Sequence, residues 1–318
     1  MDKEFRTLDL FAGIGGIRLG FEKAGFKTIF ANDFDKTCKE TYDLNFDEPK
    51  LNTEDINLLD ISKIPKFDIL LGGFPCQAFS IAGYRKGFKD DKGRGNLFFR
   101  IVEILEERKP VAFLLENVKN LQGHDKGKTF KIIQETLELQ KLGYHIKFKI
   151  LNSMKHGNIP QNRERIFIVG FLDKSKTEAF NFPEEIPLTK NFRDFTANEA
   201  DKKYYYNDKP LYERIKDDVN SEDTVYQWRR KYVRSNKKGV VPTLTANMGL
   251  GGHNVPIIKD HKGIRKLTPK ECILLQGFPK DFKLPELADS KLYHQVGNSV
   301  TVTVIERIAT EMKRVLLL

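Results

Sequence analysis

Short apolar, β-branched runs alternate with amphipathic stretches over the first 170 residues. In the amphipathic stretches, apolar positions recur three and four residues apart, as on one face of a helix. The apolar runs predict strands at residues 7–11, 28–32, 67–71, 112–116, 144–151 and 165–170. The amphipathic stretches predict helices at residues 17–24, 36–44, 97–108 and 129–142. This alternation indicates an α/β protein with a doubly wound, mostly parallel sheet covered on both faces.

From about residue 173 the alternation gives way to a polar stretch with scattered aromatics, prolines and short strand-like runs. We therefore predict a second, smaller, irregular β-rich domain at residues 173–292. Residues 299–318 return to a helical pattern with one apolar face, which is expected to pack on the first domain. The first domain is accordingly predicted at residues 1–172 plus 293–318.

The chain has 318 residues and a formal net charge of +10, which favours a polyanionic partner such as nucleic acid. No apolar run approaches the roughly 18 residues needed to span a bilayer, so we expect a soluble protein without a membrane partner. The three cysteines, Cys38, Cys76 and Cys272, are too scattered for a disulfide framework and lack Cys-x-x-Cys spacing. A reducing cytosol and no bound metal are expected.

Cations concentrate in two segments. Residues 226–239 contain six cations and no acid, with Tyr226, Trp228 and Tyr232 interleaved, and the cations are Arg229, Arg230, Lys231, Arg234, Lys237 and Lys238. The glycine-rich residues 83–95 contain five cations against two acids, and the cations are Arg85, Lys86, Lys89, Lys92 and Arg94. Each segment is a candidate for nucleic-acid binding, and a solvated charged face is the alternative.

Cys76 follows Gly72-Gly73-Phe74-Pro75, directly after the strand-like run at 67–71. Two glycines and a proline are expected to end that strand, which leaves Cys76 at a carboxyl end, where open α/β sheets bind ligands. A thiol there can act as a nucleophile. The alternative is a small buried core residue, since free cysteine is among the most buried residue types.

The loop Asp9-Leu10-Phe11-Ala12-Gly13-Ile14-Gly15-Gly16 follows the first strand and opens the first helix, so a ligand can approach its backbone closely. Asp33 ends the second strand and suits the hydroxyls of a ribose. Arg18 occupies the third glycine position of G-x-G-x-x-G, which disfavours a dinucleotide and suits a nucleoside such as S-adenosylmethionine better. Phe34 could stack on a purine, and Asp55 could accept from its amine; a core phenylalanine and a capping aspartate are the alternatives.

Glu116 follows an apolar run, so its carboxylate should emerge at the same edge of the sheet as Cys76. Arg163 and Arg165 lie two apart on a predicted extended segment and should share a face. They could bind a base carbonyl, a phosphate or the carboxylate of Glu116. A loop glutamate and a surface ion-pair network are the alternatives.

These motifs together resemble the DNA (cytosine-5) methyltransferases of bacterial restriction-modification systems. The resemblance spans nearly the whole chain and lies in seven blocks in the family's order. The blocks are D-L-F-A-G-I-G-G at 9–16, G-F-P-C-Q-A-F-S at 73–80, E-N-V at 116–118, Q-N-R-E-R at 161–165, R-K-L-T-P-K-E-C at 265–272, Q-G-F-P at 276–279 and G-N-S-V at 297–300.

The resemblance implies that Cys76 attacks carbon 6 of a cytosine flipped out of the duplex, with Glu116 at the N3 and N4 edge and Arg165 at the base carbonyl. Arg163 is a candidate for activating the thiolate. The implied methyl donor is S-adenosyl-L-methionine, and the product is S-adenosyl-L-homocysteine. The cofactor-binding residues carried over from the family are Phe11, Gly13, Ile14, Gly16, Asp33, Phe34, Asp55, Ile56, Pro75, Leu97, Asn298, Ser299 and Val300.

The first domain then corresponds to the cofactor-binding catalytic domain and the second to the target-recognition domain. The implied partner is double-stranded DNA, and the expected DNA contacts are Arg85, Lys89, Arg94, Trp228, Arg229, Arg230, Thr243 and Asn247. We expect a monomer in the bacterial cytosol or nucleoid, without a stable complex with any cognate endonuclease. A tRNA cytosine methyltransferase, a noncatalytic DNA-binding module and a nicotinamide dehydrogenase are the rival interpretations.

Overall fold

The computed structural model describes residues 4–75, 97–236, 239–250 and 254–318. Its strands are β1 (Arg6–Leu10), β2 (Lys27–Asn32), β3 (Ile69–Gly73), β4 (Ala112–Val118), β5 (His145–Asn152), β6 (Gln161–Asn162), β7 (Glu164–Phe171), β8 (Val225–Trp228), β9 (Val233–Asn236), β10 (Val241–Pro242), β11 (Ile257–Asp260) and β12 (Gly263–Lys266).

The α-helices are α1 (Gly16–Lys23), α2 (Lys36–Asn45), α3 (Leu97–Arg108), α4 (Lys128–Leu137), α5 (Ser153–Gly157), α6 (Lys174–Ala179), α7 (Tyr212–Ile215), α8 (Pro269–Leu274), α9 (Asp289–Asn298) and α10 (Val302–Leu316). Short 3-10 segments lie at Ile61–Lys63, Lys119–Gly127, Phe192–Phe195, Lys202–Tyr204 and Ala246–Gly249. Helix α4 ends earlier than predicted because residues 139–143 form turns, in which Leu142 stays buried and Gly143 adopts a φ of 74°.

A six-stranded sheet has the order β2-β1-β3-β4-β7-β5. Strand β1 pairs in parallel with β2 and β3, β3 pairs in parallel with β4, and β4 pairs antiparallel with β7. The prediction of a mostly parallel sheet is confirmed. Because β2 and β3 lie on opposite sides of β1, the loops after β1 and β3 flank the crevice in which such sheets bind ligands.

Two sequence-based strand ends are wrong. Gly72 and Gly73 do not end β3 but extend it, pairing with Leu115 and Glu116 of β4. A glycine keeps both backbone hydrogen-bonding groups, so the ladder continues without a side chain. Strand β4 likewise continues to Val118, two residues past the predicted end at Glu116, and Glu116 pairs on the other side with Phe167 of β7.

Contacts divide the chain into two units: Met1–Leu151, Glu164–Pro183 and Ile305–Leu318 form the first, and Asn152–Arg163 and Glu184–Val304 form the second. In the second unit, β10 pairs in parallel with β6, and four antiparallel strands follow the order β12-β11-β8-β9. These limits differ from the predicted ones, since residues 152–163 and 293–304 join the second unit. No helix in the described part of the chain is long and apolar enough to cross a bilayer.

Candidate active site and nucleic-acid interface

The loop after β1 is held in a strained, ligand-accessible conformation. Phe11 and Gly13 have φ values of 55° and 54°, and Gly15 has a φ of 83° where it caps α1. A side chain added at Gly13 would meet no atom within 4 Å, so open space lies above its backbone. Left-handed backbone at a non-glycine such as Phe11 is costly and clusters at functional sites.

Asp33 connects this loop to the end of β2. Its Oδ2 accepts from the Gly13 amide at 2.8 Å, and its Oδ1 accepts from the Asp35 amide at 2.8 Å. Burial raises the pKa of Asp33, and the two amide hydrogen bonds oppose the shift. The sequence-predicted ribose acceptor therefore lies beside the predicted glycine loop, held there by that loop.

Arg18, the departure from the dinucleotide motif, is a buried clamp on α1. Its Nη1 donates to the Tyr42 hydroxyl at 2.8 Å, and its Nη2 donates to the Glu48 carbonyl at 2.7 Å. The guanidinium carbon lies 4.1 Å from the centre of the Phe46 ring, a cation–π contact. A long side chain thus fills the space that a dinucleotide-binding helix keeps for close approach.

The predicted adenine-binding residues line the next loops. Phe34 is 73% exposed, so its ring face is available for stacking. Ile56 is buried in the core beneath this region. Asp55 accepts from the amide and side chain of Asn57, both at 2.9 Å, within a turn, and no helix in the described residues begins beside it.

Glu116 and Arg165 form a buried ion pair between β4 and β7. Arg165 is opposite Val118 in the antiparallel register, so Glu116 is its diagonal neighbour on the same face. Arg165 Nε lies 3.1 Å from Glu116 Oε1. Burial lowers the pKa of Arg165, and the charge of Glu116 opposes that shift. A methyl group at Gly73 would lie 3.5 Å from Glu116 Oε2, so the glycine leaves that side of the carboxylate clear.

The structure also shows a role for Asn117 that sequence reasoning missed. Its buried amide donates to the Phe74 carbonyl at 2.9 Å, which ties the end of β4 to the residue after β3. The adjacent Pro75 is exposed, and Leu97 is half-buried at the start of α3. Cys76, Arg85, Lys89 and Arg94 lie outside the described residues. Asn117 belongs to the E-N-V motif, which could have indicated a role for it, but only Glu116 of that motif was assigned one.

Arg163 does not share the environment of Arg165. It is buried in the second unit, where it donates to the Leu244 carbonyl at 2.6 Å and to the Ser299 carbonyl at 2.5 Å. The nearby Gln161 accepts from the Leu244 amide at 3.1 Å and donates to the Leu275 carbonyl at 2.7 Å. These bonds hold four distant sequence blocks together, which favours a structural role for Arg163 over thiolate activation.

The remaining cofactor candidates lie in the second unit. Asn298 ends α9 and is exposed, with its amide 3.1 Å from His294 Nε2. Ser299 and Val300 are buried directly after it. The sequence block G-N-S-V therefore forms the helix end on which Arg163 anchors.

Strands β8 and β9 form a hairpin whose tip is cationic. Arg229 N donates to the Tyr232 carbonyl at 2.9 Å and closes a tip that exposes Arg229, Arg230, Lys231 and Tyr232. Arg230 has a φ of 66°, a conformation for which glycine is favoured. Trp228 packs against the core of the second unit and does not line the adjacent cleft, so its position favours support over base contact.

A cleft of about 730 Å³ lies beside this hairpin within the second unit. Among the described residues, its lining contains two arginines, Arg229 and Arg234, and no acidic residue. Five side-chain amides line it, and these are Asn162, Gln227, Asn236, Asn247 and Asn254. Thr243 and Asn247, predicted as DNA contacts, both lie in the cleft, whereas Gln227 and Arg234 were not assigned to DNA from the sequence.

The R-K-L-T-P-K-E-C block builds a buried ion-pair network. Arg265 Nε lies 2.6 Å from Asp260 Oδ2, and its Nη2 lies 2.8 Å from Glu271 Oε1. Tyr205 donates to Asp260 at 2.9 Å, and Glu271 also completes a capping box with Thr268 at the start of α8. This block therefore joins the β11–β12 hairpin to a helix.

A doubly wound sheet with a ligand-accessible loop after β1 and a buried carboxylate at β4 is typical of α/β proteins that bind ligands at the carboxyl ends of their strands. The family model described as C-5 cytosine-specific DNA methylase matches residues 5–314 of this chain. The chain therefore belongs to this family and is a DNA cytosine-5 methyltransferase.

Two relatives support this family assignment, and one solved structure supports the fold. The chain is 53% identical to the type II methyltransferase M.Bsp6I of Bacillus sp. (strain RFL6), over 97% of this chain and 98% of that protein. It is 42% identical to the type II methyltransferase M.DsaV of Dactylococcopsis salina, over 98% and 86%. The crystal structure of the S. pombe Dnmt2 methyltransferase, 20% identical, superposes with a TM-score of 0.75 over 99% of this chain and 100% of that one, which supports the fold.

Proposed function

We propose that this enzyme methylates C5 of a flipped-out cytosine at a specific duplex DNA site through a covalent bond between Cys76 and C6. The donor is S-adenosyl-L-methionine, and the modification protects host DNA in a restriction-modification system. The observation that carries the proposal is the buried Glu116–Arg165 pair, 3.1 Å apart, on β4, which pairs with β3, and on β7, which pairs with β4. Cys76 itself is assigned from its sequence motif.

The first unit fits the methyl donor. The open backbone at Gly13, the Asp33 carboxylate and the exposed Phe34 ring lie on the loops after β1 and β2. They would hold the methionine end, the ribose and the adenine, respectively. When bound, S-adenosyl-L-methionine supplies a methyl group on a positively charged sulfur and leaves as S-adenosyl-L-homocysteine.

Glu116 and Arg165 suit the chemistry of the base. Arg165 presents a cation to the carbonyl at C2. Glu116 takes up the proton that the Cys76 thiol releases and donates it to N3 as the thiolate forms its bond to C6. The electron pair of the C5–C6 double bond then becomes available at C5, which accepts the methyl group. The C5 proton then passes to a water molecule, and the N3 proton returns to Glu116. The C5–C6 double bond is restored as the C6–sulfur bond breaks and its electron pair returns to Cys76.

The other two cysteines are poor candidates for the nucleophile. Cys38 and Cys272 are buried, and burial raises the pKa of both thiols. A thiolate is the reactive form, so both are held in the unreactive state. Cys76 is therefore the cysteine on which the covalent step depends.

Cys76→Ala is expected to abolish methyl transfer to duplex DNA while leaving cofactor and DNA binding intact. Wild-type protein should form a denaturation-resistant adduct with DNA containing 5-fluorocytosine at the target, and Cys76→Ala should not. Cys38→Ala is the matched control and should keep both activity and adduct formation.

Two results would contradict the proposal. Methyl transfer to tRNA alone would identify a different substrate, and an active Cys76→Ala variant would exclude the covalent route. Bisulfite sequencing of methylated DNA then gives the recognised site.

A further inference from the structure

The cleft of the second unit is built to donate hydrogen bonds. Its arginines make no ion pair with any residue in the described part of the chain, whereas Arg265 in the same unit is fully paired with two carboxylates. No acidic side chain lines the cleft among the residues that the structure describes. An unpaired cation in an acid-free cleft suits a ligand that brings its own acceptors or negative charge.

The register of the hairpin places two of these donors side by side. Gln227 of β8 lies directly opposite Arg234 of β9, so their side chains leave the same face of the hairpin. The neighbouring Tyr226 points to the opposite face, where it is buried in the core of the second unit. The rigid core thus presents Gln227 and Arg234 together on the cleft side.

Hydrogen bonding sets which atoms of Gln227 face the cleft. Its Oε1 accepts from Asn236 Nδ2 at 3.5 Å, a long bond that leaves the Gln227 amide nitrogen free to donate. Arg234 has only donors. The Gln227 amide nitrogen and the Arg234 guanidinium can therefore donate side by side, and a ligand with adjacent acceptors fits them.

Guanine is the base that presents two acceptors, N7 and O6, on its major-groove edge. Adenine and cytosine each present an amino donor there, which the guanidinium of Arg234 cannot accept, whereas it can donate to both guanine acceptors. We propose that Arg234 and Gln227 read one guanine of the recognised DNA site through N7 and O6. This inference rests on the proposed function, because it concerns the sequence at which methylation occurs.

The test uses the site mapped with wild-type enzyme. Each guanine in a duplex bearing that site is replaced in turn by 7-deazaguanine, which keeps base pairing but lacks the N7 acceptor. At one position the substitution is expected to slow single-turnover methylation by wild-type enzyme about tenfold or more. Arg234→Ala should be slower on the natural duplex and insensitive to 7-deazaguanine at that position. Gln227→Ala should tolerate replacement of that guanine by other bases better than wild type does.

Arg230→Gly is the matched control from the same hairpin. It removes a guanidinium from the tip, outside the cleft lining, and relieves the left-handed backbone. It should weaken binding to all duplexes alike and keep the wild-type response to 7-deazaguanine. If Arg234→Ala retains the wild-type response at every guanine, the inference is overturned. Failure of the proposed function gives a different result, namely no 5-methylcytosine in duplex DNA with wild-type enzyme.

Discussion

Asp9 lies inside β1 with both carboxyl oxygens buried and without a hydrogen-bond partner among the described residues. Burial raises its pKa to about 8; the nearby positive charge of Arg18 lowers it, and the negative charges of Asp33 and Glu22 raise it. Asp9 is therefore a neutral carboxylic acid in the folded protein near pH 6. Sequence reasoning treated Asp9 only as part of the glycine loop, since no local pattern reveals burial of one carboxyl.

Stability should consequently fall as the pH rises from about 4 to about 8. The unfolded chain releases the Asp9 proton near about pH 4, whereas the folded protein retains it to about pH 8, so the folded state binds more protons in this window. The loss approaches about 1.4 kcal/mol per pH unit at most. Asp9→Asn removes the titration, so the variant should gain stability relative to wild type from pH 5 to 8, with no further gain above.

Urea unfolding at a series of pH values measures this difference. Asp60→Asn is a suitable control because Asp60 is solvent-exposed and hydrogen bonding lowers its pKa, so it stays ionised throughout the window. A difference between Asp9→Asn and wild type that is constant from pH 5 to 8 would contradict the assignment.

At the scale of elements, the Asp260–Arg265–Glu271 network joins the β11–β12 hairpin to α8. All three side chains are buried, so removing one partner leaves uncompensated charge. Arg265→Ala should destabilise the protein by about 3 to 5 kcal/mol, measured by denaturant unfolding.

Lys262→Ala is the control for that prediction. Lys262 pairs with Glu199 at the surface of the same unit, with both side chains about half exposed. Exposed ion pairs contribute little to the stability of the folded state. The melting temperature of the Lys262→Ala variant should therefore stay close to that of wild type. Equal melting temperatures for Arg265→Ala and Lys262→Ala would contradict a stabilising role for the network.

The spacing of apolar residues predicted the helices and strands well where residues close in the sequence determine the secondary structure. Helix α3 has the predicted bounds, and the six strands of the main sheet were located to within about two residues. The predictions are wrong where a residue distant in the sequence determines the local structure or the contacts. Gly72 and Gly73 extend β3 only because β4 lies beside them, and Arg163 faces Leu244 and Ser299 because β6 joins the second unit.

For the whole molecule, the effect of the net charge of +10 on DNA binding depends on where the unpaired cations lie. Arg229, Arg230 and Lys231 at the hairpin tip make no ion pair with the described residues, while Lys202, Lys203 and Lys262 of the same unit each pair with a carboxylate. The tip is therefore a part of the second unit where phosphates can replace counterions.

Neutralising the tip should flatten the salt dependence of DNA binding. Each phosphate contact contributes about 0.9 to the slope of log affinity against log salt, so replacing all three tip cations with glutamine should reduce that slope by about 2 to 3. Fluorescence anisotropy at several salt concentrations measures it. The same replacement at Lys202, Lys203 and Lys262 should change the slope much less, and equal changes in both triple variants would contradict the assignment.

The alternation of strands and helices, the family blocks and the two strands that carry Glu116 and Arg165 could all be predicted from the sequence. Periodicity and motif order are carried by residues close along the chain, so they can be read without the fold. The tertiary structure alone decided that Asn117 holds Phe74, that Arg163 is a buried clamp and that Gln227 stands opposite Arg234. Those pairings depend on strand order and register, which bring together side chains that no local pattern relates.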